Sequence, residues 1–477
     1  MNDLHSSAVL DPRRPAGLAG GAPLGQRARS DAAVRQAAAA ALWLSLLLVT
    51  FWWVTGRGVQ DLGGWASGLT SVGRVSGLTG AVLLLAQVVL MARVPLVERA
   101  FGQDRLARLH RVVGFTSFTL VLVHVVTITW GYAAGALGQF LGMLWTLTVS
   151  YPGMLLAAAG TVCLFLVVGT SLRRARLRLR YESWHLLHLY AYLGVGLALP
   201  HQLWTGQQFT GSPARTVFWW SAWALAAGAV LTWRVGLPVC RNLRHRLRVA
   251  SVVREAEDVV SVHLTGRRLD LLRVEAGQFF TWRFLGRPGW TRAHPYSVSA
   301  APDGQSLRIT VRAVGTGSSV PFSVRPGTPV LVEGPYGRLS ARARSRRRVA
   351  LIGAGVGITP LRALAEELHY DPGEAVLLQR CTVDPLFPQE LEALTRERGL
   401  EVLILPGHRR SPHSWLGAGV GPMDQVDDLW ALRWWVPDIA ERDVYLCGPP
   451  PWVALVQRTL AAAGLPADRL HLETFTW

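Results

Sequence analysis

The chain has 477 residues, half of them hydrophobic, and a net charge of +18 whose basic side chains are all arginine, since it contains no lysine. The length suits roughly two to four domains. The apolar excess lies before about residue 237 and the remainder has ordinary soluble texture, which excludes a uniformly soluble globule and points to a membrane part followed by a soluble one.

Residues 1–36 are rich in Ala, Gly, Pro, Arg and Ser and read as a disordered cytosolic tail. Arg13-Arg14 has the look of a twin-arginine signal, but the first apolar run starts only near Ala37 and no small-residue cleavage site follows it; chance in an arginine-rich tail is the reading adopted. Apolar stretches at 37–54, 72–92, 112–130, 153–172, 184–203 and 216–237 predict six helical spans of a bilayer core about 30 Å thick. The connecting segments alternate in charge. Segment 93–111 holds Arg93, Arg99, Arg105, Arg108 and Arg111, segment 173–181 holds Arg173, Arg174, Arg176, Arg178 and Arg180, and Arg241, Arg244, Arg246 and Arg248 follow the last span. The opposite loops hold only Arg57, Asp61 and Arg215. Basic segments stay in the cytoplasm, so both termini are expected inside. This accounts for much of the charge without nucleic acid, the other partner such a balance suggests.

From about 247, "RLRVASVVREAEDVVSVHLTG" and "SLRITVRAVG" alternate with period two, which predicts a small antiparallel β-barrel over 245–345. From Arg348, "VALIGAGVGITPLRALAEEL" reads as strand, glycine turn and helix, and "AVLLQRC", "EVLILPG" and "DVYLCG" as further strands, predicting a parallel α/β domain over 346–477. Cys163, Cys240, Cys381 and Cys447 are too scattered for a zinc or iron–sulfur spacing and suggest no disulfide framework.

Imidazoles stand out in the spans, because polar groups in lipid are expensive and usually functional. His110 and His124 are fourteen residues apart, which puts them about 21 Å apart along nearly one stripe of an ideal helix. His188 and His201, in the fifth stretch, are thirteen apart, or about 20 Å. Both stretches run from inside to outside, so His110 would pair with His188 and His124 with His201. Two such pairs could ligate two haems, one above the other. Thirteen residues turn His201 about 140° from the face of His188, and Pro200 is expected to kink or unwind the helix there. His185 is the rival ligand, at a poorer match of depth, and is read as a supporting group. The alternative is a set of structural histidines bonded to neighbouring helices.

The stretch "YESWHLLHLYAYLGVGLALPH" resembles the fifth span of the ferric reductase and NADPH oxidase superfamily. Glu182, His188 and His201 match that family's spacing, as do His110 and His124 in the third span. The resemblance covers roughly 37–477 and implies a ferric reductase-like transmembrane domain over 37–240 with two b-type haems, followed by FAD and NAD(P)H domains. "HPYSVSAAP" is similar to the flavin-contact strand of ferredoxin-reductase-type domains, which implies that Tyr296 packs on the isoalloxazine, Ser297 bonds the ring or ribityl chain, and His294 and Pro295 shape the strand. Arg312 with Gly315, Gly317 and Ser318 resembles the pyrophosphate clamp, and "GPYG" at 334–337 the turn that closes the barrel. A flavin is also what the chemistry asks for, since it converts a two-electron hydride into single electrons.

In "GAGVGITP", Gly353, Gly355 and Gly357 allow a tight turn into a helix whose N-terminus favours phosphate. Thr359 and Pro360 depart from a dinucleotide fingerprint and fit the family. Cys447, Gly448 and Pro449 in "CGPP" match its second nicotinamide signature, with Cys447 near the nicotinamide or simply buried. Phe475 resembles the aromatic that covers the flavin face, and Trp477 is its rival. Arg380, Arg409 and Arg410 follow strands, where arginine can pair with a ribose 2′-phosphate, or are merely solvated; the former favours NADPH over NADH. Arg74 fits the arginine that the oxidases place near the outer haem, and is assigned to its propionates or the acceptor site. Ile128 stands where those enzymes have a histidine linked to oxygen handling. The reading is transmembrane electron transfer from cytosolic NAD(P)H through FAD and two haems to an acceptor outside, most simply ferric iron. The alternatives are a superoxide-forming oxidase, a reductase of a periplasmic or surface protein, and, in another class, a membrane anchor or transporter fused to a soluble flavin reductase.

Overall fold

The computed structural model describes residues 26–172, 177, 181–206, 211–286, 290–313, 320–418 and 426–473. The chain divides after Leu237 into a helical unit and a β-rich and α/β unit.

The helical unit runs α1 (Gln26–Thr55), α2 (Trp65–Met91), α3 (Pro95–Phe101), α4 (Gln103–Tyr132), α5 (Phe140–Ser150), α6 (Met154–Ser171), α7 (Tyr181–Trp204) and α8 (Pro213–Ala229). A π-helical segment, Val230–Gly236, leads from α8 into α9 (Leu237–His245). The first helix reaches back to Gln26, into the segment expected to be a disordered tail, because its alanine-rich sequence favours helix. Among the described residues, five helical stretches are long and apolar enough to cross a membrane: Arg29–Thr55, Trp65–Met91, Arg105–Tyr132, Met154–Ser171 and Pro213–His245. The remaining predicted span falls on α7, a helix whose three histidines and Gln202 dilute its apolar character.

Small residues decide how closely these helices pack. Gly73, Gly77 and Gly80 share one face of α2. A Cβ on them would lie 2.6 Å from Ile128, 2.5 Å from His124 and 3.3 Å from Leu120 of α4. Between α6 and α7, a Cβ on Gly160 would lie 2.6 Å from the Gly194 carbonyl, and one on Gly194 2.9 Å from the Gly160 carbonyl. Leu78, Val82, Leu85, Trp219 and Ala226 fill the interior, while Trp43, Leu44, Phe51, Leu155 and Leu225 face outward, as suits contact with lipid.

The second unit opens with two antiparallel three-stranded sheets. One is β1 (Arg248–Ala256), β2 (Val259–Thr265) and β5 (Ser306–Arg312), in the order β1-β2-β5; the other is β3 (Phe279–Phe284), β4 (His294–Ser297) and β6 (Val330–Tyr336), in the order β4-β3-β6. Isolated bridges, Val298 to Ile309 and Arg248 to Pro329, tie them together where a closed barrel was expected. Phe280, Trp282, Leu264 and Ile309 fill the space between them.

A parallel sheet follows, made of β7 (Val349–Ala354), β8 (Ala375–Arg380), β9 (Glu401–Leu405), β10 (Asp443–Cys447) and β11 (Leu470–Glu473), in the order β11-β10-β7-β8-β9. Its helices are α10 (Ile358–Glu367), α11 (Pro388–Arg398), α12 (Asp428–Trp435) and α13 (Pro450–Ala462). Successive residues of one strand enter opposite cores, Val349 and Leu351 on one side, Ala350 and Ile352 on the other. Both faces are covered, which explains why these strands read as unbroken apolar runs.

Asp443 anchors the start of β10. Its carboxylate is fully buried and accepts from Ser345 N at 2.6 Å, Arg346 N at 2.5 Å and His471 Nε2 at 2.9 Å. Burial alone would raise its pKa, but the His471 hydrogen bond and charge and the two backbone donors hold it below the usual carboxylate range. Its contribution to stability is therefore present above the ordinary carboxylate pKa and is lost as the pH falls through the lowered one. Asp443→Ala leaves these donors buried without an acceptor, at a cost of roughly 3 kcal/mol. The thermal midpoint of the soluble unit, read in the purified full-length protein, should fall by about 6 °C or more at neutral pH. An unchanged midpoint would show that the cluster holds nothing.

Candidate functional site

Histidine pairing in the helical unit is resolved at the ring level. The rings of His110 on α4 and His188 on α7 approach edge-on, with centroids 5.9 Å apart and planes inclined by 68°. His188 is thus a ring neighbour of His110, with His185 one turn earlier on α7. Ser171 Oγ lies 3.2 Å from His188 Nδ1 and also accepts from Trp184 Nε1 at 3.3 Å. Nδ1 of His110 is buried with no hydrogen bond of good geometry.

The other pair is held differently. His124 Nδ1 donates to the Gly73 carbonyl of α2 at 2.7 Å, and Gly77 leaves the room in which the ring lies. A carbonyl can only accept, so the proton sits on Nδ1 and Nε2 keeps its lone pair. His201 lies within electrostatic range of His124, with its own Nδ1 buried near the Ala198 backbone. Helix α7 runs unbroken through Pro200, so the unwinding expected there does not occur. Proline removes one backbone bond but leaves the rest of the turn intact. Gly153, at φ +80°, packs its backbone against this turn, and a Cβ there would lie 2.7 Å from His201 N. Arg74, next to Gly73, pairs with Asp61 at 3.2 Å, and Ile128 packs on Gly73 itself. Among the described residues, no group of three or more His, Cys, Asp or Glu forms a metal cluster.

In the second unit, β4 delivers His294, Pro295, Tyr296 and Ser297 along one edge of its sheet. The His294 and Tyr296 rings are parallel within 10°, at 6.0 Å. Trp282 Nε1 donates to the Tyr296 carbonyl at 2.9 Å and fixes the backbone. The Tyr296 phenol and the Ser297 hydroxyl are buried with no hydrogen-bond partner, and burial pushes the phenol pKa up. Buried hydroxyls lacking partners among the described residues, at two successive positions of β4, are groups that a polar ligand would satisfy. Arg312 pairs with Asp258 at 2.8 Å and lies beside Gly355, whose Cβ would be 3.3 Å from its Nη1. Gly315, Gly317 and Ser318 lie outside the described residues, as does Phe475, and the Glu182 side chain is likewise not described.

The nucleotide motifs meet at the carboxyl ends of β7 and β10, where strand order reverses and open α/β sheets bind ligands. Gly357 touches the other motif directly: a Cβ there would lie 2.5 Å from the Cys447 carbonyl and 2.8 Å from Gly448 Cα. Gly355 adopts φ +54° at the turn. Thr359 Oγ1 donates to the Val356 carbonyl at 2.9 Å and, with Pro360, is buried in the first turn of α10. Gly353 and Glu473 flank Cys447 in register on the two neighbouring strands, and Pro449 opens α13. Burial, then the Glu473 charge, push the Cys447 thiol up, so it rests as a neutral thiol. Arg380 turns inward and donates to the carbonyls of Cys381 and Leu405, Arg410 pairs with Asp428 at 2.9 Å, and Arg409 is exposed beside Arg380. Ser171, Gly77 and Gly153 were not singled out from the sequence; the small-residue spacing of "SVGRVSGLTG" was the available signal for Gly77.

Residues 76–199 match the family model described as ferric reductase like transmembrane component. Curated relatives include the glycine betaine monooxygenase reductase subunit of Chromohalobacter salexigens, 28% identical over 49% of this chain and 65% of its own length. The flavohemoprotein of Xylella fastidiosa is 30% identical over 42% and 51%, and the ferredoxin reductase component of 3-ketosteroid-9-alpha-monooxygenase from Mycolicibacterium smegmatis 28% identical over 48% and 65%. The chain thus spans about half to two thirds of the length of these relatives. Among solved structures, the flavohem-like FAD/NAD binding domain of nitric oxide dioxygenase from Vibrio cholerae is 25% identical, covering 49% of this chain and 99% of that one, with a TM-score of 0.38. A helical membrane-like part is followed by a ferredoxin-reductase-type part, and the second supports binding of FAD and NAD(P)H.

The orphaned hydroxyls make a direct prediction. If a flavin binds against β4, Tyr296→Phe and Ser297→Ala would each remove one hydrogen bond to it and should weaken its binding by about 1 kcal/mol, roughly fivefold in Kd. Fluorescence titration of the apoprotein with FAD measures this, and unchanged affinity in both variants would place the flavin elsewhere.

Proposed function

We propose that this chain, whose helical part matches a ferric reductase-like family model and whose second part resembles ferredoxin-reductase-type relatives, is a multi-pass plasma-membrane flavocytochrome with six spans and cytoplasmic termini. In this reading electrons pass from cytosolic NAD(P)H through FAD and two b-type haems to an acceptor outside, ferric iron in preference to oxygen. The observation that carries it is the approach of the His110 and His188 rings, from two different helices, to 5.9 Å between centroids. Two imidazoles this close could together ligate one haem iron, which would supply one-electron carriage there. His124 and His201 would hold the second haem. Nicotinamide, flavin and haem would together supply a hydride, its division into single electrons, and their carriage.

The protein's own part is positioning. Gly73 and Ser171 hold His124 and His188 at Nδ1, which turns Nε2 toward the ligand position, as outer partners of metal-bound histidines do. Tyr296 and Ser297 would contact the flavin, and Arg312 its phosphates. Gly353, Gly355, Gly357 and the Cys447–Pro449 turn would receive the nicotinamide nucleotide, and Phe475 would cover the flavin until it arrives. Arg409 is the exposed cation for a 2′-phosphate, with Arg380 behind it, which favours NADPH. Arg74 would pair with outer haem propionates or the acceptor, sharing its charge with Asp61.

Purified, haem-loaded protein should bind two b-type haems, with the reduced-minus-oxidised bands of both. His124→Ala with His201→Ala should remove one and largely spare the other. A full complement in that double variant sinks the ligand assignment. No haem bands in the wild-type protein would favour an anchor fused to a soluble reductase.

Ile128 offers no proton or hydrogen bond beside the outer pair, whereas outer-sphere transfer to a chelate needs only an exposed haem edge. With NADPH, a ferric chelate without oxygen should be reduced faster than superoxide forms in air. If superoxide formation is faster, the Ile128 argument is wrong and the chain is an oxidase.

A further inference from the structure

The backbone that follows Tyr296 and Ser297 is gripped from the parallel-sheet side. Ser299 is fully buried. Its carbonyl accepts from Arg308 Nη2 at 2.7 Å and its hydroxyl accepts from Arg308 Nε at 3.1 Å. Two residues on, Ala301 N donates to Glu366 Oε2 at 2.7 Å. Arg308, on β5, binds Glu390 of α11 through two donors, at 2.7 and 3.0 Å. Arg362 of α10 is buried between Glu390, at 2.6 Å, and Glu366, at 2.5 Å. Phe387 lies under the Arg308 guanidinium, 5.0 Å from ring centroid to Cζ. Two arginines and two glutamates thus form one cluster around Ser299 and Ala301.

We infer that this cluster is a positioning device that sets the separation between the flavin-contact strand and the nicotinamide-binding turn. The helix that carries Arg362 and Glu366 is the one that opens at Gly355–Gly357. Arg362 and Glu366 lie about 6 and 12 Å along it from Ile358. One rigid helix therefore has the nucleotide turn at its head and the grip on Ser299 and Ala301 on its side. Ser297, which would touch the flavin, is two residues before Ser299.

Stability alone does not account for such a cluster. Buried ion pairs gain little over well-packed apolar side chains of similar size. What they add is direction: a bidentate arginine accepts one geometry, where an apolar contact tolerates sliding. The step that needs such geometry is the passage of one hydride, a proton with two electrons, from reduced nicotinamide to oxidised flavin. Donor and acceptor atoms must there be held near 3–3.5 Å, and a misplacement of about 1 Å can cost roughly a hundredfold in rate. Arg308, Arg362, Glu366 and Glu390 touch neither nucleotide nor flavin in this scheme; they act through Ser299, Ala301 and the helix.

The inference rests on the reading of this unit as flavin- and nicotinamide-binding. Its test uses the full-length protein with bound FAD and the variants Glu390→Gln and Glu366→Gln. Hydrogen exchange of the 299–301 backbone should accelerate at least tenfold in both, with β8 unaffected. In anaerobic stopped-flow, the limiting rate of flavin reduction by NADPH should fall at least tenfold, while the Kd for NADPH stays within twofold and flavin content is unchanged. Faster exchange with a limiting rate within twofold of wild type would overturn the inference. So would unchanged exchange, or a rate lost only together with the flavin, which would make the cluster a plain stability element. Glu366→Gln keeps an oxygen for Ala301 N, so it carries the comparison if Glu390→Gln does not fold. A wild-type protein that takes up no flavin would defeat the underlying reading instead, and the exchange result would still decide whether the grip exists.

Discussion

An imidazole has two nitrogens, and a bundle of apolar helices offers little water to satisfy either. The helical unit is arranged around that constraint. His124 donates to the carbonyl of Gly73, although that carbonyl belongs to a neighbouring helix. A backbone oxygen inside a helix has a second lone pair, but side chains normally shield it. Glycines on one face of α2 remove the shield and let the ring approach. The same glycines bring α2 and α4 together, which sets Ile128 against Gly73, one residue before Arg74. Close packing and the orientation of the His124 ring therefore trace to one stripe of small residues.

Backbone plays the corresponding part in the second unit. The two glycine motifs are separated by about 90 residues in sequence, yet Gly357 rests on the Cys447 carbonyl with no side chain between. A crevice whose walls are main chain can approach phosphate oxygens with N–H groups. On the neighbouring strands, Glu473 and Gly353 lie in register beside Cys447.

Much of this was legible in the sequence, for reasons that differ by element. His110, His124, His188 and His201 stood out because their surroundings are apolar. The parallel strands were plain because burial on both faces leaves unbroken runs such as "VALIGA". What could not be read was direction. Arg380 follows a strand, as a phosphate-binding arginine would, but its side chain turns inward to carbonyls of Cys381 and Leu405. Pro200 was expected to open the helix before His201, yet α7 absorbs it without a break. Alternation identified the stretches that became β1, β2 and β5, but not the grouping of six strands into two bridged sheets. Ser171 is one serine among many until α6 and α7 are packed.

The helix from Ile358 to Glu367 fastens different partners at its head and along its side, and this limits how the chain can change over time. An insertion of one residue between Gly357 and Arg362 would turn everything beyond it by about 100° and advance it about 1.5 Å. Arg362 and Glu366 would then point away from Ser299 and Ala301, although every side chain involved was still present. Substitutions along this stretch can be compensated one at a time; a change of length cannot. Insertions and deletions in descendants of this chain are therefore expected to collect in connecting loops and to spare α10, so that its length would outlast much of its sequence.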